Sequence, residues 1–200
     1  MEHNMEHNLE HNLEQHIEHP AESLNTQLSI DIGKKNLGYS IFDGKNLKFG
    51  IFDITYYIKK NKLKENMEGR NKILLTWLTK LHEKHQFNRI IVEKQVIRNV
   101  VAMCIQSCII SFGFMNNIPV ESYDPKNKFV FTGDTYNSAK KEHKRLAIKY
   151  TSNLLKKKYP NKLEYFNTFQ KQDDISDSIL MNFLTHPETD LKTLKTIITN

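Results

Sequence analysis

The sequence predicts an α/β fold, a mixed five-stranded sheet with helices on both faces, and three observations carry that expectation. Three short runs rich in branched and aromatic residues, QLSIDIG, NLGYSIFD and NLKFGIFDI, follow one another closely, with the tight-turn signal DGKN between the second and third. Two further runs of the same kind, NRIIVEK and IPVESYDP, are separated from them and from each other by segments of helical periodicity. Beyond them SAKKEHKRLAIKYTSNLLKKK and DDISDSILMNFL both read as helices. The order βββαβαβ followed by helices places helical layers on both sides of one sheet.

Taken in chain order, residues 1–25 stand apart from the rest. They repeat a tetrad of Met, Leu or Ile followed by Glu-His-Asn and hold six Glu with no Lys or Arg. In a helix those glutamates would be successive i,i+4 neighbours, and like charges at that spacing each cost a few tenths of a kcal/mol. A flexible low-complexity extension is therefore expected over 1–25, with the remainder, 26–200, forming one domain. His3, His7 and His11 fall one helical turn apart, the spacing of a transition-metal site; a site-free extension is the simpler reading.

From Gln27 the pattern turns globular. The three opening strands form a meander, a Lys- and Asn-rich linker follows, and RNKILLTWLTKLHEKH sets Ile73, Leu74, Trp77, Leu78 and Leu81 at helical spacing. Trp77, Leu81, Leu146, Tyr150 and Leu154 are assigned to packing. The helix from Arg98 to Met115 is apolar on nearly all sides and must be covered twice, once by the sheet. A homodimer with this helix at its interface supplies the second cover; residues 55 to 70 or the C-terminal helix are the alternative.

Charge and cysteine usage narrow the function class. Outside the tail, 29 basic residues stand against 17 acidic, a net of +12, which points to a polyanionic partner or else to a lysine-rich solubilising surface. Cys104 and Cys108, the only cysteines, lie in one apolar stretch, as reduced buried thiols do. No basic-then-apolar leader and no long apolar run are present, so a soluble intracellular protein without a membrane partner is expected. Seven glycines and no Gly-rich phosphate loop argue against an ATP-binding fold.

Four carboxylates break the local hydrophobic logic. Asp31 interrupts a strand between Ile30 and Ile32, Glu93 ends IIVE, and Asp174 and Asp177 lie three apart at the start of the last apolar helix. Each has an ordinary reading: a helix cap for Asp173 or Asp174, a lysine partner for Glu93. Asp31 is harder to dismiss, because a buried carboxylate must be neutralised, paired or bound to a cation. The middle of the first strand and the end of the fourth can lie side by side, and a helix over the sheet can bring the last two acids to them. All-oxygen ligation of that kind suits Mg²⁺ or Mn²⁺, and two such ions ~4 Å apart serve in-line phosphodiester hydrolysis.

SIDIGKKNLGYSIFD, IIVEKQ and QKQDDISDSIL, in that order, resemble the motifs of the RuvC-type Holliday junction resolvases, above all their poxvirus and large-DNA-virus branch, over roughly residues 27–184. The resemblance implies an RNase H-like fold with metal ligands Asp31, Glu93, Asp174 and Asp177. It also implies Mg²⁺ or Mn²⁺, two per site, and symmetric nicking of four-way DNA junctions by a homodimer in viral-type recombination and replication. A catalytic lysine is further implied in the helix before the last acids, with Lys144 favoured and Lys141 next.

Lys34, Lys35, Lys94, Arg98, Lys140, Lys141 and Arg145 are the candidate phosphate contacts, since the chain ends in LKTLKTIITN without a basic extension. Phe129, Phe131 and Tyr136 are candidates for stacking on exposed bases or for packing. Two other readings stay open: a catalytically silent DNA-binding module, and an RNase H-like nuclease on another branched or hybrid substrate.

Overall fold

The computed structural model describes residues 25–133 and 140–199. The 1–24 repeat with its histidines, and Tyr136, lie outside the described residues, as does the side chain of Lys140. β1 (Gln27–Ile32), β2 (Asn36–Phe42) and β3 (Leu47–Asp53) form the expected antiparallel meander. β4 (Arg89–Glu93) and β5 (Val120–Tyr123) extend it in parallel on the far side of β1, giving the order β3-β2-β1-β4-β5. The turn between β2 and β3 is closed by Asp43, whose carboxylate accepts the N–H groups of Lys45 and Asn46, while Gly44 takes the left-handed conformation at φ +88°.

Side-chain alternation divides the two faces. Leu28, Ile30, Leu37, Ile41, Phe52, Ile90 and Val92 point to one layer, where α1 (Ile54–Lys60), α2 (Met67–His85) and α3 (Val100–Met115) cover them. Phe42, Leu47 and Phe49 point to the other, under α5 (Lys140–Lys158), α6 (Pro160–Asn167), α7 (Gln172–Thr185) and α8 (Leu191–Thr199). The mixed five-stranded sheet with helices on both faces is thus as the sequence predicts. α2 begins at an Asn66 cap, its side chain accepting from Gly69, and ends where Gln86 turns left-handed at φ 48°.

The differences are local. The stretch read as a linker contains α1, capped by Asp53; the segment of Phe129 and Phe131, given no element above, holds the short α4 (Asn127–Thr132); and α6 and α8 had no assigned counterpart. Each is short enough that packing, rather than sequence periodicity, decides its conformation. The two cysteines are free, and burial pushes the Cys108 thiol up to about 11. No helix among the described residues is long and apolar enough to cross a membrane.

α7 is held on the sheet by a buried polar seam. Asn182 donates to the carbonyls of Gln27 and Ser40, Gln27 Nε2 donates back to Asn182 Oδ1 at 3.0 Å, and the Ser40 hydroxyl donates to Ser178 O at 2.8 Å. Hydrogen bonds satisfy these groups only at one rotation of the helix, so the seam fixes which side chains of α7 face β1. Gly38 completes the fit. It pairs with Asp31 across the β1–β2 ladder, and a Cβ there would meet the Asp174 carbonyl oxygen at 2.1 Å. Gly38→Ala is therefore expected to lift the first turn of α7 and destabilise the fold by about 1–3 kcal/mol, read as a lowered urea midpoint; an unchanged midpoint would show that the approach is not tight.

Candidate metal centre and nucleic-acid interface

Register and helix rotation together build the site. Ile30 pairs with Val92 in the parallel β1–β4 ladder, so the next residues along, Asp31 and Glu93, stand side by side on the α7 face. One carboxylate oxygen from each of Asp31, Glu93 and Asp177 lies within 4.8 Å of the other two. Asp174, a turn earlier on α7, is not in that trio; its nearest cation is Lys171 at 4.0 Å, and it stands close enough for its carboxyl to respond to the charge on Glu93.

Confinement is visible in the acidities. Burial, then the charges of Glu93 and Asp177, hold the Asp31 carboxyl well above the usual carboxylate range. Burial also raises Asp177, against the opposing pull of Lys128, and burial followed by the Asp173 charge raises Asp174. Beside them the Tyr123 hydroxyl is buried with no hydrogen-bond partner, and burial and the Asp177 charge push its acidity further down.

Lys128 is the residue that sequence reasoning missed. It projects from α4 into the cluster, 6% exposed, with Nζ 2.5 Å from Asp177 Oδ1, and its charge also acts on Asp31. The only signal for it was a lysine in the otherwise apolar run around Phe129, too weak to separate from a surface cation. Lys144, favoured from the resemblance, pairs instead with Asp173, and that contact, reinforced by Asp174 and Asp177, raises its pKa. Helix capping does not explain the α7 acids: the N-cap position is held by Lys171, with no side-chain cap.

Of the candidate phosphate contacts, Lys34 and Lys35 lie exposed at the β1 end, and Lys94 and Arg98 lie exposed at the β4 end, flanking the trio. Arg70 ties the first pair down by donating to Lys34 O at 2.8 Å. Lys141 is exposed on α5, while Arg145 is taken up by Glu142 at 2.6 Å. Phe129 is buried and stacked on His143 at 4.3 Å, and the partly buried Phe131 packs on the core. Exposed apolar surface near the trio comes instead from Val96 and Ile97, at 69% and 83%, between Lys94 and Arg98.

Metal fit follows from donor chemistry. Three hard oxygen donors converge where one cationic group, the Lys128 ammonium, already stands in for a cation, and no thiolate or imidazole joins them among the described residues. The residues fit a divalent ion of the Mg²⁺ or Mn²⁺ class.

Comparison with known proteins bears on the fold and the family. Among solved structures, the yeast mitochondrial Holliday junction resolvase Ydc2 matches with a TM-score of 0.60 and 16% identity, over 90% of this chain and 83% of that one. The fowlpox virus resolvase, solved with its substrate Holliday junction DNA, matches with a TM-score of 0.52 and 20% identity, over 86% and 99%. RuvC of Thermus thermophilus matches with 0.51 and 14%, over 78% and 92%. At these identities the likeness establishes the RNase H-like fold of that group. Sequence comparison with curated proteins finds no match. The profile of the family described as "Poxvirus A22 protein" matches residues 26–185, from the start of β1 to the end of α7, and the chain belongs to that family.

Proposed function

We propose that this protein is a metal-dependent endodeoxyribonuclease that resolves four-way DNA junctions by paired, symmetric phosphodiester hydrolysis. The observation that carries the reading is the trio itself: acids from β1, β4 and α7 within 4.8 Å of one another, between exposed lysines. Family membership, and neighbours described as junction resolvases, support the substrate class.

Asp31, Glu93 and Asp177 would hold one ion, and Asp174, beside Glu93, would help to hold a second. Bound there, the ions supply an activated water and charge stabilisation for the leaving 3′ oxygen. The chain's own groups do the rest. Lys34, Lys35, Lys94 and Arg98 bind phosphates without reading sequence, and so fix where the scissile bond lies. The apolar pair Val96–Ile97 packs against bases opened at the crossover. Lys128, buried against Asp177, donates to a phosphate oxygen as negative charge grows on it. Lys144 holds Asp173 away from the trio and orients the first turn of α7.

Symmetric nicking needs two sites, and α3 offers a surface for pairing. Val100, Ile110 and Phe114 are exposed at 67%, 44% and 84% along one side of that helix, while its other sides meet the sheet and α2. A homodimer across this face buries them.

Asp31→Asn and Asp177→Asn are expected to reduce cutting of a synthetic four-way junction in Mg²⁺ at least about 10²-fold. Gel-shift affinity for the same junction should persist, because docking uses other groups. A variant that cuts at the parental rate removes that residue from the assignment. Single-turnover cleavage separates the lysines: Lys128→Met is expected to lose about 10²-fold or more and Lys144→Met less than tenfold. The reverse order would return the role to Lys144.

The raised pKa values of Asp31 and Asp177 set a sign for stability. Their folded pKa values exceed the unfolded value of about 3.9, so the folded state binds more protons and metal-free stability falls as pH rises above that value. Asp31→Asn is therefore expected to raise the metal-free Tm at neutral pH and to abolish the Mg²⁺-induced rise. Asp177→Asn is expected to lower Tm, since it strands Lys128 without its partner. Thermal scans with and without Mg²⁺ from pH 4 to 8 check this; a metal-free Tm that climbs steadily as pH rises above about 4 contradicts it.

A further inference from the structure

On the sheet face opposite the carboxylates, α1 leaves β3 and folds back toward α2, and an open cleft of about 470 Å³ lies between them. Its floor is a continuous stack of rings. Phe52 lies between Trp77, at 4.4 Å and 10°, and Tyr57, at 5.0 Å and 23°. Tyr57 stays 38% exposed, and Trp77 is half-buried. The rim is cationic: Lys60 on α1, with Lys72 and Lys80 two turns apart on α2, all exposed. Among the described residues no Asp or Glu lines the cleft and none of these three lysines is in an ion pair, while Lys60 lies over the Tyr56 ring at 5.8 Å.

Core packing accounts for Phe52, which is buried, but not for an aromatic stack that reaches solvent beneath three uncompensated cations. A ring stack offers a planar, sequence-tolerant platform, and unpaired lysines around it attract phosphates. An acidic peptide would satisfy the lysines, yet the backbone groups of α1 and α2 are engaged within their helices and offer it no hydrogen-bonding edge. A planar aromatic ring carrying negative charge on both sides satisfies floor and rim together.

We propose that this cleft is a second nucleic-acid site, which takes an unpaired base of single-stranded DNA against the exposed Tyr57 ring at the solvent end of the Tyr57–Phe52–Trp77 stack while Lys60, Lys72 and Lys80 hold the flanking phosphates. It is separate from the trio of carboxylates and does not depend on cleavage. A resolvase carrying it keeps hold of a single-stranded stretch beside the branch while its opposite face engages the branch itself.

Trp77 is the only tryptophan of the chain, so its emission reports on the cleft directly. The full-length protein is titrated with a twelve-nucleotide oligothymidylate without divalent ions, in a series of salt concentrations. Quenching that saturates, and that weakens steeply with salt, is expected. In Lys60→Ala/Lys72→Ala/Lys80→Ala the log–log salt slope should fall by about 2–3 and the quench at low oligonucleotide should vanish, with junction cleavage unchanged. Tyr57→Ala should weaken oligonucleotide binding about fivefold or more through lost stacking. Lys34→Ala/Lys94→Ala, which lies in the other groove, should keep the Trp77 response while junction affinity drops, so failure of the two sites is told apart.

Four results would overturn the proposal: no change in Trp77 emission at saturating oligonucleotide; an unaltered response in the triple variant; equal binding of thymidine monophosphate with no gain from chain length; or displacement of the oligonucleotide by a peptide of residues 1–24, which would give the cleft to the chain's own acidic segment.

Discussion

Three carboxylates confined within 4.8 Å, largely out of water, repel one another, and the rest of the molecule is arranged so that they stay there. Left alone, such a group would protonate or push its element away. The structure answers in two ways: protons are held more tightly on Asp31 and Asp177, and a buried lysine is set against Asp177. Both answers are partial. What remains is a standing demand for positive charge at one point, which a divalent ion meets better than a proton does. The same demand makes the site costly to the fold, as functional sites commonly are.

Holding that arrangement requires rigid neighbours. The parallel pairing of β1 and β4 sets Asp31 beside Glu93 with no adjustable loop between them. The third acid comes from a helix, whose rotation is a softer variable, and the Gln27–Ser40–Asn182 seam removes that freedom. Gly38 lets the helix descend until its backbone almost touches β2, next to Asp31 itself. Chemistry and packing therefore share residues here: a change meant for one is felt by the other. Basic groups need less precision. Lys34, Lys35, Lys94 and Arg98 lie exposed beyond the strand ends, and the proposed role of phosphate contact asks of them reach rather than exact placement.

Much of this was legible in the residues. Strand-length apolar runs gave all five strands, and an acid placed inside one of them, Asp31, marked the site because burial of an unpaired charge is so unfavourable. Glu93 and Asp177 followed from position, their all-oxygen donor set pointed to a divalent ion, and the family resemblance added the four-way junction as substrate. Lys128 was not legible, since nothing in a single lysine of DPKNKFVF says that its helix will turn it inward. Asp174 and Lys144 illustrate the limit from the other side. Spacing of three on a helix puts Asp174 and Asp177 on one face but does not say which reaches the trio, and a lysine in the right helix can be claimed by the neighbouring acid, as Lys144 is by Asp173. The short helices α1, α4, α6 and α8 carry too few turns to show a period, so their form is decided by tertiary contact.

The central claim is that the β1, β4 and α7 acids share a divalent cation. The most direct measurement is an anomalous-scattering map from crystals of the protein soaked in Mn²⁺. The account predicts a peak bonded to oxygens of Asp31, Glu93 and Asp177, with the Lys128 ammonium shifted away from Asp177. A map without density between those three side chains at saturating Mn²⁺, or with manganese only at the outer acids Asp173 and Asp174, would contradict it.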